Sequence, residues 1–537
     1  MNYTKMLLCL FFVGIIFYSC ATTAILSTPI ENIDSATAKN TELTDDELKK
    51  WNLLDLVKDT IPGMSVERAY NEIIKDKEGT SVIVGVIDSG VDIEHEDLKD
   101  VIWTNSNEKP GNGKDDDNNG YIDDINGWNF LGDAIYENFE YVRIIKNDDD
   151  GSEVYKKAKA EYEAEYKDAL REKQQLDFLL QQIPIAENTI KKHLGKETYT
   201  IEEVEAITSS DQMVNQSKGL LLFLDRNDLD YEKVKEYAES SVYVRLNYNL
   251  NPEYDGRAIV GDNPYDLNDR PYGNNNVMGP DKEKISHGTH VAGTIAAVRN
   301  NGKGIDGVAQ NVQIMVLRAV PDGDEYDKDV ALAIRYAADN GAKIINTSFG
   351  KSYSMQPEWV KEAVIYAASK DVLIVNAAGN DGRDLDIDNI YPNDSYDNNP
   401  EYSDNMIVVG ALNYEYSGDL IAGFSNYGKE NVDVFAPGVQ IWSTYPNDEY
   451  EFSNGTSMAA PGVSGIAALI RSYYPKLSAN QVKKIIMASG LPVKLSVSAG
   501  TNGAVKKLNE ISVSGKIANA YNALILADKV SRGSVNL

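Results

Sequence analysis

Ser81 to Ile87 (Ser-Val-Ile-Val-Gly-Val-Ile) is an almost unbroken run of β-branched residues with no polar alternation. A strand with one wet face alternates apolar and polar residues. A run without alternation must be buried on both faces, the situation of a parallel strand covered by helices. Runs of the same kind follow at Gln313–Leu317, Lys343–Thr347, Val372–Asn376, Met406–Ala411 and Val432–Phe435. Between several of them the apolar period becomes helical, over His290–Arg299, Asp327–Asn340 and Glu358–Ser369. A short helix opening on a capping Ser65 is predicted over Ser65–Ile74, and later helices over Ala479–Ser489 and Lys516–Ala527. This alternation predicts an α/β fold with a mostly parallel central sheet. Such sheets carry their sites beyond the carboxyl ends of strands, where Asp88 and Asn380 both fall.

One stretch breaks the pattern. Residues 148–247 are rich in Lys, Glu, Tyr and Leu, and Lys156–Gln182 pairs opposite charges at helical spacing. Pro184 marks an expected break before a second helical stretch reaching His193. We read 148–247 as an inserted helical subdomain that divides the α/β domain into 61–147 and 248–537. The insertion is either a surface embellishment without chemistry or a lid, a docking arm or a substrate selector.

The start of the chain carries its own information. The apolar run from Met6 to Tyr18 is too short to span a bilayer and reads as the core of a signal peptide over 1–19. Cys20, in Phe17-Tyr18-Ser19-Cys20, is the expected lipidated first residue of an exported cell-envelope lipoprotein. Cleavage after Ala24, giving a secreted protein, is the alternative. Residues 20–60 read as a polar tether. With Cys9 removed and Cys20 lipidated, no thiol remains for a disulfide or a nucleophile. The 83 acidic against 52 basic residues, a net charge of −31, argue against nucleic acid or anionic lipid as partners. Membrane contact is expected only through Cys20.

The chain has four histidines. His193 lies in the charged insertion and His95 in an acidic loop. His287 and His290 share Ser-His-Gly-Thr-His-Val-Ala-Gly-Thr, whose small residues let a helix start pack closely on a neighbour. A zinc site there lacks the Glu of His-Glu-x-x-His and any third ligand. Asn454-Gly455-Thr456-Ser457-Met458-Ala459-Ala460-Pro461 reads as a sharp turn into a buried helix. That places Ser457 at a helix N-terminus, where free N–H groups favour negative charge. Acyl transfer needs a serine hydroxyl, a histidine to take its proton and a carboxylate to hold the imidazole. No Gly-x-Ser-x-Gly elbow occurs.

Val86-Ile87-Asp88-Ser89-Gly90, His287-Gly288-Thr289-His290-Val291-Ala292-Gly293 and Gly455-Thr456-Ser457-Met458-Ala459-Ala460-Pro461 resemble, in order, the three signature blocks of the subtilisin-like serine proteases. The resemblance covers roughly 60–130 and 250–490. It implies the subtilisin-like three-layer fold and a serine endopeptidase acting on protein or peptide substrates, with no organic cofactor. In that role Asp88 orients His287, His287 acts as general base and then acid, and Ser457 is the nucleophile. Asn380 matches the oxyanion-hole asparagine, Ser348-Phe349-Gly350 the segment that pairs with an extended substrate, and Ala377-Ala378-Gly379 a pocket wall. The chain departs from the family in three ways. Asp88 and His287 stand 199 residues apart. Gly462 replaces a usual histidine, and too little chain precedes the domain for the usual folded pro-domain. An inactive member of the fold, serving as a scaffold at the envelope, is the rival reading.

Gly113–Asp124 sets oxygen ligands at alternate positions. Asp115, Asp117, Asn119, the Tyr121 carbonyl and Asp123 follow the spacing of an EF-hand loop, with Gly120 at the turn and Asn126 where the closing Glu would stand. A structural calcium ion is expected there.

Overall fold

The computed structural model describes residues 25, 27–31, 33, 39, 41–147, 149–396 and 399–537. The predicted signal peptide and Cys20 lie outside these residues. Among the described residues no helix is long and apolar enough to cross a membrane.

The six predicted strands join three shorter ones in one nine-stranded sheet. In chain order its strands are β1 (Val82–Asp88), β2 (Gly127–Asn129), β3 (Val312–Arg318), β4 (Ile344–Thr347), β5 (Leu373–Ala377), β6 (Met406–Leu412), β7 (Val434–Pro437), β8 (Leu491–Pro492) and β9 (Lys516–Ile517). Across the sheet they run β8-β9-β7-β6-β5-β4-β1-β3-β2. All neighbours are parallel except β8 and β9. Every residue of β6 is buried, as a run without polar alternation requires. Helices Ser286–Ala296 and Thr456–Tyr473 pack on each other and on the central strands, and Asp327–Asp339 packs on Pro357–Ser369. The result is a three-layer α/β domain in which β1 lies inside the sheet between β3 and β4, so Asp88 emerges within the carboxyl edge.

The sequence expectations need four corrections. The helix expected at His290–Arg299 begins at Ser286 and ends at Ala296, which puts His287 in its first turn. The helix expected from Lys516 begins at Ala520, because Ile517 pairs with Phe435 at the sheet edge and Asn519 supplies the N-cap. Ser65 has a left-handed backbone and caps nothing; its hydroxyl instead accepts from Asn519 Nδ2 at 2.7 Å. Pro184 does not break the insertion, whose helix Glu153–Leu194 runs through it for 42 residues. An interior proline costs about 3 kcal/mol. Ile183, Ala186 and Ile190 flank it and are buried against Val214, Leu221 and Leu224 of the helix Gln212–Arg226. Burial of each large side chain contributes roughly 1.5–3 kcal/mol, enough to offset the break.

The stretch assigned to a tether also differs. Trp51, Leu53, Leu54 and Leu56 are buried in the main core. The Trp51 indole N–H is shared between the Val439 and Gln440 carbonyls at 3.0 and 3.2 Å. Farther upstream, Asn522 of the last helix exchanges two hydrogen bonds with the Ile30 backbone, at 2.8 and 2.9 Å. The polar average of 20–60 conceals this apolar cluster, which the domain wall requires.

Candidate active site

β1 ends in Asp88, whose carboxylate is 1% exposed. Its Oδ1 accepts from His287 Nδ1 at 2.7 Å and from the Ser89 N–H at 2.7 Å. The two residues approach because Gly288 lets the helix start lie against the strand end. A Cβ at Gly288 would stand 2.1 Å from the Gly90 carbonyl oxygen and 3.1 Å from Asp88 Cβ. With Nδ1 donating to Asp88, Nε2 of the neutral ring is the free acceptor. Crowding around the ring works against its charged form, and the Asp88 carboxylate, by charge and by hydrogen bond, more than offsets this. The His287 pKa therefore lies above the ordinary histidine value.

His290, on the next turn, behaves in the opposite way. It is buried, its Nε2 donates to the Ile441 carbonyl at 2.9 Å, and burial lowers its pKa to about 4. It is a neutral packing residue that buttresses the ribbon Ile441–Tyr445/Glu449–Ser453 leading to Ser457.

Gly455 turns the chain into the helix Thr456–Tyr473 with a φ of 147°, a conformation open to glycine. Ser457 sits in the first turn, and its backbone N–H has no partner among the described residues. Pro461, four residues on, cannot donate to the Ser457 carbonyl as a helix interior residue would. That freed carbonyl accepts the Ser348 hydroxyl at 2.9 Å, while the Ser457 hydroxyl donates to the Ser348 carbonyl at 3.0 Å. Beneath them Asn346 Nδ2 donates to Ser348 Oγ, and Ser464 donates to Asn346 Oδ1, at 2.9 and 2.8 Å.

Asn380 lies beyond β5, as expected from the sequence, and on the same side as Ser457. Its Oδ1 accepts from both the N–H and the hydroxyl of Thr456, at 2.9 and 3.0 Å. The amide is thereby oriented and Nδ2 is left as the donor end. Thr456 also receives the Gly379 N–H at 3.0 Å. Ala377 and Ala378 are buried and Gly379 half-buried. Ser348 is buried, Phe349 half-buried and Gly350 exposed. A cavity of about 410 Å³ opens beside His287, walled by Ile135, Val320, Pro321, Asp322 and Ser348.

In the acidic loop the structure brings Asp115 and Asp117 together with Glu108, their carboxylate oxygens within 4.8 Å of one another. Glu108 Oε2 is buried with no hydrogen-bond partner among the described residues. Asp115 and Asp117 also accept N–H groups of the turn, from Asn119 and Gly120, as do two other positions of the expected spacing. Asp123 accepts the Asn112 and Gly113 N–H groups at 3.1 and 2.8 Å, and Asn119 Oδ1 accepts the Tyr121 N–H at 2.8 Å. Glu108 lies before the loop, so loop spacing could not reveal it.

A family profile described as the subtilase family matches residues 79–515. This chain belongs to the subtilase family. A thermophilic serine proteinase of Bacillus sp. (strain AK1) is 41% identical over 222 residues, covering 41% of this chain and 49% of that protein. Subtilisin DY of Bacillus licheniformis is 41% identical over 198 residues, covering 37% and 67%. Thermitase of Thermoactinomyces vulgaris is 38% identical over 222 residues, covering 41% and 70%. Among solved structures, a protease of Pseudoalteromonas arctica PAMC 21717 matches with TM-score 0.37 and 30% identity over 45% of this chain and 70% of the other. The subtilase thus spans about half the length of the thermophilic proteinase it matches.

The sequence analysis assigned no role to several residues of this subtilase site. Thr456 orients Asn380, Asn346 and Ser464 support Ser348, and Glu108 joins the acidic loop. Arg318 ends β3 buried, donating to the carbonyls of Ser89, Gly132 and Ala134 at 3.1, 3.1 and 2.7 Å. Burial lowers its pKa to about 10. Only Thr456 had a clue, in its place beside the serine.

Proposed function

We propose that this subtilase is an exported serine endopeptidase that cleaves peptide bonds through an acyl-enzyme on Ser457. The observation that carries the reading is the Asp88–His287 hydrogen bond at 2.7 Å, with Ser457 at a helix N-terminus and bonded to Ser348, which lines the same cavity as His287. The Ser457 hydroxyl, which rests on the Ser348 carbonyl, swings to His287 Nε2 when substrate enters; resting sites are often looser than reacting ones. Ser457 Oγ attacks the scissile carbonyl carbon as His287 Nε2 takes its proton. The oxyanion receives the unpaired Ser457 N–H and the oriented Asn380 Nδ2. Collapse breaks the C–N bond, and His287 returns the proton to the departing amine. Water, deprotonated by His287, then hydrolyses the ester. Ser348, Phe349 and Gly350 pair with the substrate backbone, and Ala377, Ala378 and Gly379 wall the pocket beside the scissile bond.

We further propose a structural calcium ion held by Glu108, Asp115 and Asp117. The orphaned, buried Glu108 oxygen supports this, and hard carboxylate oxygens suit a hard cation. The ion supplies charge neutralisation and takes no part in the reaction. Export through the leader and anchorage by lipidated Cys20 complete the reading.

A fluorophosphonate probe tests the reading. Wild-type protein labels and Ser457→Ala does not, with hydrolysis falling on the order of 10⁶-fold. Failure of folded wild type to label would favour an inactive scaffold.

A further inference from the structure

The helical insertion meets the cleft at its root. In the proposed reading, an extended substrate lies along Ser348-Phe349-Gly350. The backbone groups of Phe349 and Gly350 have no hydrogen-bond partner among the described residues. The other wall of the cavity is the chain after β3. There Asp322 spends both backbone groups on the insertion's lead-in and return. Its N–H donates to the Ile135 carbonyl at 2.8 Å, and its carbonyl accepts the Glu137 N–H at 3.0 Å and Asn249 Nδ2 at 2.9 Å. Gly323, where a φ of 132° bends the chain, leaves its N–H and C=O with no partner among the described residues. The cleft thus has two rails with open backbone groups, Phe349–Gly350 and Gly323.

Both rails end at the next residue. Lys351 pairs its N–H and C=O with Tyr391, each at 2.9 Å. Its side chain, 1% exposed, reaches across to donate to the Glu325 carbonyl at 2.8 Å, with Asp327 at 3.0 Å and Glu140 at 3.4 Å. Arg143 donates to the Asp324 and Glu325 carbonyls at 2.8 and 3.0 Å and pairs with Glu140. Glu140 also accepts the Met355 N–H at 3.0 Å. Glu140 and Arg143 belong to Glu140–Ile145, the helix that leads into the insertion. Beyond Gly350 and Gly323, these carbonyls and the Lys351 backbone are already taken. A peptide strand needs about 4.8 Å to each neighbour, and past Gly350 the Lys351 side chain ties the two walls together through the Glu325 carbonyl.

We propose that the helix Glu140–Ile145 closes the substrate groove after the third residue before the scissile bond, which makes the insertion a selector of substrate shape. This rests on the hydrolase reading above. The chemistry it favours is a free N-terminal segment, or an exposed loop whose chain turns away at the fourth residue. A long extended strand gains nothing from its further residues.

The test uses full-length protein and peptides of two to six residues ending at the cleaved position. Affinity is measured by fluorescence polarisation on Ser457→Ala, and kcat/KM on wild type with the same peptides carrying a fluorogenic leaving group. Both rise up to three residues and then stay level within about twofold, since no new backbone pairing is available. A gain of about fivefold or more between three and six residues would overturn the proposal. Because affinity on Ser457→Ala needs no turnover, it decides the groove length even if fluorophosphonate labelling fails. The pair Glu140→Ala with Arg143→Ala should restore a gain from the fourth residue. If that variant does not fold, the wild-type series alone decides.

Discussion

Ser348 and Ser457 exchange hydrogen bonds, hydroxyl to carbonyl in each direction, at 2.9 and 3.0 Å. The exchange exists because Pro461 leaves the Ser457 carbonyl without its helical donor. Ser348→Ala removes one of the two bonds and strands both that carbonyl and the buried Asn346 amide. An unsatisfied buried group costs about 1–3 kcal/mol. Thermal melts should show that loss, while fluorophosphonate labelling slows without vanishing, because the nucleophile remains.

The Asp88–His287 pair sets a pH dependence. His287 must be neutral to accept a proton, and its pKa is raised, so the acid limb of kcat/KM should lie above the ordinary histidine value near 6.5. The sign for stability is opposite. A histidine raised by its partner stabilises the fold below its unfolded pKa, and that contribution fades as pH rises through the folded pKa. Asp88→Asn withdraws both the charge and the tautomer control. Activity at neutral pH should fall by about 10⁴-fold, with the fold retained. A wild-type pH-rate profile whose acid limb sits at the ordinary histidine value would contradict the role of the Asp88 charge.

The Glu108 cluster predicts a stability that depends on calcium. Chelation should lower the melting temperature. Saturation at a hundred times the dissociation constant is worth about 2.7 kcal/mol. Glu108→Gln should melt lower than wild type in calcium and respond little to chelator. Asp123→Asn should keep its calcium response, since that carboxylate lies outside the group formed by Glu108, Asp115 and Asp117. Equal melting curves for wild type with and without chelator would remove the ion.

Gly462 stands where the family usually has histidine, and Met64 fills the space. A Cβ there would meet Met64 Cε at 2.8 Å and Sδ at 3.2 Å. Gly462→His should destabilise by about 1–3 kcal/mol through overpacking. Adding Met64→Ala should recover part of that loss, as read from paired denaturation curves.

The sequence by itself determined the buried parallel sheet, because strands wet on neither face read as near-continuous apolar runs. It also pointed to Asp88, His287, Ser457 and Asn380, because each stands in a short motif of glycines and small residues that close packing demands. It could not determine which polar groups meet. The Ser348–Ser457 exchange, Glu108 beside Asp115 and Asp117, and the contact of Glu140 with Lys351 join residues remote in the chain. The straight run through Pro184 and the burial of Trp51 were decided in the same way. Each depends on a neighbouring surface supplied by another part of the polymer, and local composition holds no record of that surface.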